Sequence, residues 1–151
     1  MALNRKWMPS PCYYLGRSSS PRLIVLHTAD GSRSIESLGR YFANPANKVS
    51  SNAGADDKPN TVGIYVDREH RAWTQGEYNS VAISIEICGF AKWPTTEWDK
   101  HPQMLANVAA WIAEEAAVFD IPIVELSPAQ AQGSGRGVCQ HVDISGAGGH
   151  W

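Results

Sequence analysis

This sequence has few cysteines, a small net charge and no long apolar run, and each of these features excludes a class of protein. The three cysteines, Cys12, Cys88 and Cys139, are an odd number without a C-x-x-C pair, which argues against a disulfide framework or a cysteine-based metal site. The 13 basic and 15 acidic residues give a formal net charge of −2, so we expect no nucleic-acid partner. No apolar run approaches the roughly 18 to 20 residues of a membrane span, and the N-terminal segment lacks the apolar run of a signal peptide.

The remaining composition is that of an ordinary globular domain. A chain of 151 residues has the length of one domain, and it contains no internal repeat and no linker-like stretch that would divide it. We therefore predict a single soluble domain over residues 1–151, in which the cysteines are buried thiols.

Two segments in the first third of the chain predict a strand followed by a helix. "RLIVLH" (22–27) is a short apolar run between "SSSP" and "TADG", typical of a buried strand that places His27 at its carboxyl end. "SIESLGRYFANP" (34–45) has apolar residues at helical spacing, with Ser34 as the N-cap and Pro45 just after the end.

The middle and the end of the chain predict further strands and a long helix. Residues 50–60 are the most loop-like segment, and 61–67 with 71–75 predict a hairpin with Asp67 entering the turn. "VAISIEI" (81–87) alternates, which places Glu86 on the face opposite the isoleucines. A helix is predicted from about Thr96, capped by Asp99, to Phe119. The fold class is therefore α/β or mixed α+β, with a sheet covered by helices.

The positions of the five histidines separate them into two groups. His70 in the predicted turn and His101 near the start of the long helix are expected to be solvated surface residues. His27 ends an apolar strand at a polar loop, and His141 lies in a segment rich in glycine. Neither histidine alone indicates a metal site, and a structural role for His27 at the end of its strand is favoured on spacing alone.

Three segments, taken together, resemble one enzyme family. "RLIVLHTADG" (22–31), "AWTQGEYNSVAISIEICG" (72–89) and "GVCQHVDISGAGGHW" (137–151) are similar, in this order, to the zinc-dependent N-acetylmuramoyl-L-alanine amidases of the type 2, peptidoglycan-recognition-protein family. The opening "WMPSPCYYLGRSSSPRLIVLHTADG" (7–31) is similar to amidase domains of endolysins from phages of actinobacteria. The resemblance covers essentially the whole chain, and it implies a central mixed β-sheet covered by helices.

The resemblance also implies a zinc site. Its first two ligands correspond to His27 and His141, and its glutamate, which orients or activates the zinc-bound water, corresponds to Glu86. The third ligand stays open between two alternatives. It is either the residue that would follow Trp151, in which case His150 donates a hydrogen bond to the developing oxyanion, or His150 itself. On the first alternative the chain stops just before the last metal ligand of the family.

The family's substrate-contacting segments correspond only in part to this sequence. Thr74, which we predict to contact substrate, stands where the family motif A-W-H-A-G has its histidine, and the family's S-x-H-Y strand has no clear counterpart in "SSNAGADD". Trp73 and Tyr78 could stack on sugar or peptide, with packing inside the fold as the alternative.

The implied function is hydrolysis, by zinc-activated water, of the amide bond between N-acetylmuramic acid and the L-alanine of the stem peptide. The expected partner is bacterial peptidoglycan, with no nucleic acid and no membrane, and the protein is expected to be a monomer. A phage or prophage endolysin of this kind would be made in the host cytoplasm without a signal peptide and act on the cell wall after release. Two alternatives remain: a non-catalytic module of the same fold that binds muropeptide, and a structural domain whose histidines only pack.

Overall fold

The computed structural model of the protein describes residues 2–145. Its strands are β1 (Asn4–Trp7), β2 (Tyr13–Tyr14), β3 (Leu23–Thr28), β4 (Ala53–Ala55), β5 (Thr61–Ile64), β6 (Arg71–Ala72), β7 (Ala82–Ile87) and β8 (Gly137–Gln140). Its α-helices are α1 (Ile35–Ala43), α2 (Thr95–Trp98), α3 (Pro102–Phe119), α4 (Pro128–Gln132) and α5 (His141–Ser145).

Six of the strands form one mixed sheet in the order β1-β5-β4-β7-β3-β8. The four strands β4, β7, β3 and β8 are parallel to one another, whereas β5 runs antiparallel to β4 and β1 parallel to β5. The short strands β2 and β6 pair separately. This mixed sheet flanked by helices confirms the predicted fold class.

The strands predicted at 22–27 and 81–87 are β3 and β7, and they form the centre of the core. Ile83 and Ile85 of β7 are almost fully buried, and they belong to the same apolar cluster as Met104 and Trp111 of α3. Since successive side chains of a strand alternate between the two faces, Glu86 lies on the other face, as the sequence predicts. The three cysteines are buried and unbridged, which also agrees with the prediction.

Helix α1 begins as predicted, because the side chain of Ser34 accepts a hydrogen bond from the backbone N–H of Ser37. The single helix predicted from Thr96 to Phe119 is wrong. It is broken into α2 and α3, and the proline ring of Pro102 disfavours helical geometry at His101, whose φ is −119° and ψ 50°. Asp99 ends α2 rather than capping its beginning.

The loop predicted at 50–60 is also wrong, because it contains the central strand β4. The strand was missed because it is buried on both faces and made of small residues, so that it shows neither alternation nor β-branched side chains. Its small size is required by packing: a Cβ on Gly54 would lie 2.6 Å from the Tyr65 hydroxyl oxygen and 3.0 Å from Leu38 Cδ2. The polar neighbour Asn52 is bonded internally and accepts from the backbone N–H of Ser84 at 3.2 Å.

The predicted hairpin between 61–67 and 71–75 is half correct. Asp67 does form the turn, since its carboxylate accepts from the backbone N–H of Glu69 at 2.8 Å. The two strands do not pair, however, because both edges of β5 are already occupied by β1 and β4, and β6 pairs with β2 instead.

None of the helices between residues 2 and 145 has both the length and the apolar character that crossing a membrane requires.

Replacing Gly54 by alanine tests the packing of β4. The Tyr65 ring cannot move away easily, because it is fully buried and its hydroxyl donates to the backbone carbonyl of Ile35 at 2.8 Å. We therefore expect Gly54→Ala to lower the free energy of unfolding by about 2 kcal/mol, measured by chemical denaturation. Gly31→Ala is the matched control, since a Cβ there meets only a backbone oxygen at 3.8 Å. Equal stabilities of the two variants would contradict this packing.

Candidate functional site

The carboxyl ends of three neighbouring strands position the candidate site. His27 and Glu86 are the penultimate residues of β3 and β7 and are directly paired in the parallel register. His141 follows the last residue of β8, which pairs with the other edge of β3. Because the carboxyl ends of parallel strands lie at one edge of a sheet, the three side chains meet there although they are distant in sequence.

The three side chains are close, and those of His27 and Glu86 are largely buried. The ring centroids of His27 and His141 are 4.4 Å apart, with the planes inclined by 50°. His27 Nδ1 lies 3.9 Å from Glu86 Oε1, which is longer than a hydrogen bond. The side chains of His27 and Glu86 are only 4% and 12% exposed. The structure therefore brings together all three residues that the resemblance assigns to the metal site within 2–145.

Burial shifts the pKa values of these groups toward their neutral forms. It lowers the pKa of His27 to about 3, with the neighbouring His141 contributing in the same direction. Burial also lowers the pKa of His141. It raises the pKa of Glu86 to about 8, helped by the negative charge of Asp30. Near neutral pH both imidazoles are therefore uncharged, which is the form that binds a metal.

This set of donors fits part of a zinc site. Two neutral imidazoles with a carboxyl group beside them are the ligand types that Zn²⁺ takes in proteins. Between residues 2 and 145, no group of three or more His, Cys, Asp or Glu side chains is arranged to hold a metal. His150, one of the two alternatives for the third ligand, lies outside the described residues.

A cleft of about 520 Å³ opens beside the two histidines. Its polar end is formed by His27 and His141 together with Thr28 and Gln140. The rest of its described lining is apolar and comes from β3, β7, α5 and the segments around α2 and α3, namely Leu26, Ile87, Ala91, Trp98, Leu105 and Val142. A mostly apolar cleft with a few polar groups at one end is typical of a binding site for an organic ligand.

The three residues predicted to contact substrate make internal contacts. The Thr74 hydroxyl bonds the Ser50 carbonyl oxygen at 2.8 Å and the Ser84 hydroxyl at 2.9 Å. Trp73 packs against the Tyr14 ring, and Tyr78 packs against an apolar cluster. None of the three is among the described residues that line the cleft, and their contact with substrate stays a prediction.

The other two histidines lie away from the cleft. His70 stacks on Tyr13 and is half-buried. His101 stacks on Trp93, and its Nδ1 lies 2.6 Å from Asp57 Oδ2. Its side chain is only 17% exposed, so it is less solvated than the sequence predicts.

Gln75 is the site residue that sequence reasoning missed. Its side-chain oxygen lies 3.2 Å from His27 Nε2, and the residue is buried. A single glutamine between Thr74 and Gly76 carries no periodic or motif signal, and only the fold shows that it reaches His27.

Comparison with known proteins gives one family and a set of similar folds. Residues 17–150 match the family described as N-acetylmuramoyl-L-alanine amidase. The Staphylococcus aureus hydrolase AmiA, solved in complex with its ligand, has a TM-score of 0.74 at 18% identity and is covered over 68% of its chain by 96% of this one. AmpD has a TM-score of 0.71 at 19% identity, with 99% of this chain and 90% of that one covered.

A mutant endolysin from Bacillus subtilis is similar as well, with a TM-score of 0.66 at 22% identity over 96% of this chain and 88% of that one. At these identities the structural likeness concerns the fold. None of the curated proteins matches the sequence.

Replacing Glu86 by glutamine tests the electrostatics of the site in the absence of metal. A carboxyl whose pKa rises from 4.5 to about 8 on folding stabilises the protein fully below pH 4.5, and this stability is lost as the pH rises through 8. Glutamine does not ionise, and the opposing effect of His27 is common to both proteins. In a chelating buffer, Glu86→Gln should therefore unfold with the same free energy as wild type near pH 4.5 but be more stable than wild type above pH 8. A difference that does not change with pH would contradict the shift.

Proposed function

The chain belongs to the N-acetylmuramoyl-L-alanine amidase family, and we propose that it is a zinc-dependent enzyme that cleaves the bond between N-acetylmuramic acid and L-alanine in peptidoglycan. One observation supports this proposal above the others: His27, His141 and Glu86 meet at one edge of the sheet, beside a cleft. Family membership alone would not require it, because a chain of this fold could lack these residues.

We assign the two histidines to the zinc ion and the carboxyl group to the proton transfers. His27 and His141 would hold Zn²⁺, and the ion would supply an activated water and polarise the amide carbonyl. Glu86 would take a proton from the attacking water and pass it to the leaving nitrogen of L-alanine. Without metal, burial keeps Glu86 largely protonated near neutral pH. The positive charge of a bound divalent cation would favour the ionised carboxylate, which is the form that accepts a proton from water.

The cleft beside the histidines would bind the stem peptide. Its apolar walls, which include Trp98 and Leu105, can cover the aliphatic parts of a peptide and keep water from the reacting bond. We retain Trp73, Thr74 and Tyr78 as proposed contacts farther along the substrate.

The biological setting is proposed from the same resemblance. We propose that residues 1–151 are one catalytic domain of a phage or prophage endolysin, acting as a monomer on bacterial peptidoglycan after its release from the host cytoplasm. The similarity in fold to an endolysin from Bacillus subtilis agrees with this setting.

A second candidate function is that of a muropeptide-binding module without catalysis. The observation that favours it is that residues 2–145 supply two imidazoles and one carboxyl group but no complete set of three metal-holding side chains. Such a module would keep the cleft and bind peptidoglycan without cutting it.

Removing and restoring zinc tests the enzymatic proposal. We expect the chain to release muropeptides with new L-alanine amino termini from purified cell walls, to stop after chelation, and to resume when Zn²⁺ is added. His27→Ala should lower the rate by at least about 100-fold, because a catalytic metal supplies several kcal/mol of transition-state stabilisation. His70→Ala is the matched control and should leave the rate close to wild type, since His70 lies away from the cleft.

Two results would contradict the enzymatic proposal. Hydrolysis that continues after complete chelation would exclude the zinc mechanism. Binding to cell walls without any amino-terminal release, in protein that carries zinc, would favour the binding module.

His150→Ala distinguishes the two roles left open for this residue. If His150 is the third zinc ligand, the variant should lose zinc affinity, measured by competition with a chelating dye. If it stabilises the oxyanion, zinc affinity should be retained while kcat falls about 100- to 1,000-fold, as the loss of one oxyanion donor does elsewhere. A variant that retains both zinc affinity and kcat would exclude both roles.

A further inference from the structure

Gln75 and Glu86 face different ring nitrogens of His27. The Gln75 side-chain oxygen lies 3.2 Å from Nε2, whereas Glu86 Oε1 lies 3.9 Å from Nδ1. An amide oxygen can only accept a hydrogen bond, so the contact with Gln75 requires a proton on Nε2. A neutral imidazole carries one proton, and Nδ1 is then left with its lone pair on the side of Glu86.

The backbone that carries the Gln75 side chain is held in place by the loop around it. The backbone N–H groups of Thr74 and Gln75 both donate to the side-chain oxygen of Asn79, at 3.0 and 2.8 Å. The Thr74 hydroxyl bonds the hydroxyl of Ser84, which lies on β7 two residues before Glu86 and on the same face. The loop that carries Gln75 is therefore attached, through Thr74, to the strand that carries the carboxyl group of the site.

Gln75 is also shielded from water, so the loss of its hydrogen bond to His27 would not be compensated by solvent. Gln75 is 7% exposed and His27 is 6% exposed. If the proton moved to Nδ1 while the amide kept its oxygen toward the ring, this oxygen and Nε2 would be two acceptors facing each other in a buried position, and each would lose its hydrogen bond. Gln75 thus disfavours the wrong tautomer as well as favouring the right one.

We propose that Gln75 is a positioning residue, which keeps the proton of His27 on Nε2 and so directs the Nδ1 lone pair toward Glu86 for a divalent cation. Partners of this kind fix the ring orientation and tautomer of a metal-binding histidine, and their loss commonly lowers metal affinity by about 10- to 100-fold. The choice of zinc as the cation rests on the proposed function, whereas the tautomer is a property of the chain itself.

The test measures the tautomer and the zinc affinity separately. The ¹⁵N chemical shifts of the His27 ring report which nitrogen is protonated, and they are recorded on metal-free protein for wild type, Gln75→Leu and Gln75→Glu. We expect the proton on Nε2 in wild type and in Gln75→Glu, which keeps the acceptor. Gln75→Leu should show a mixture of tautomers and a zinc affinity about 10- to 100-fold lower, by competition with a chelating dye.

Gln103→Leu is the matched control. Gln103 is half-buried on α3, where its side-chain nitrogen donates to the Asn107 side-chain oxygen at 2.9 Å. The Gln103→Leu variant should therefore have the same His27 tautomer and the same zinc affinity as wild type.

A wild-type ring protonated on Nδ1 would overturn the inference, and so would a Gln75→Leu variant with the wild-type tautomer and zinc affinity. If Gln75→Leu does not fold, the tautomers of wild type and Gln75→Glu still decide, and a change of tautomer in Gln75→Glu would count against the role of the amide oxygen. A wild-type chain that binds no zinc would overturn the proposed function instead, because the tautomer is measured without metal.

Discussion

The parallel pairing of β7, β3 and β8 is the constraint on which the rest of the molecule depends. The register sets His27 directly beside Glu86, and the end of β8 sets His141 at the opposite side of His27. Backbone hydrogen bonds of the sheet fix the positions of His27 and Glu86, and His141, the first residue of α5, directly follows the last paired residue of β8. The helices cover the sheet, and the small strand β4 pairs with β7 within it.

The same burial that stabilises the sheet determines the chemistry available at its edge. Taking an imidazole and a carboxyl group out of water favours the neutral form of each, so that one group keeps its lone pair and the other keeps its proton. Carrying ionisable groups here costs stability that an apolar edge would not cost. Such a loss of folding stability is characteristic of functional sites, where buried ionisable groups are kept because they bind a ligand.

The sequence predicted those parts of the structure that leave a periodic or motif signal. Strands β3 and β7, the capped start of α1 and the face of Glu86 follow from apolar runs, alternation and a serine at the right position. The partner of β6 was not predicted because it depends on which strand edges neighbouring elements already occupy, and β4 was not predicted because its small residues give no periodic signal. The break before Pro102 was missed although the proline itself is a local signal. Gln75 was missed for a related reason: its significance lies entirely in the distance to a residue 48 positions earlier.

β8 is the last strand at one end of the six-stranded sheet, and this position affects how easily the site opens. His27 sits on an interior strand with partners on both sides, whereas His141 directly follows β8, which is bonded to β3 along one edge and, along the other, to residues 124–126. Outer strands open and fray more readily than inner ones. A ligand bound by both imidazoles would link the outer strand β8 to the interior strand β3. Ligand binding would therefore also slow the local opening of β8.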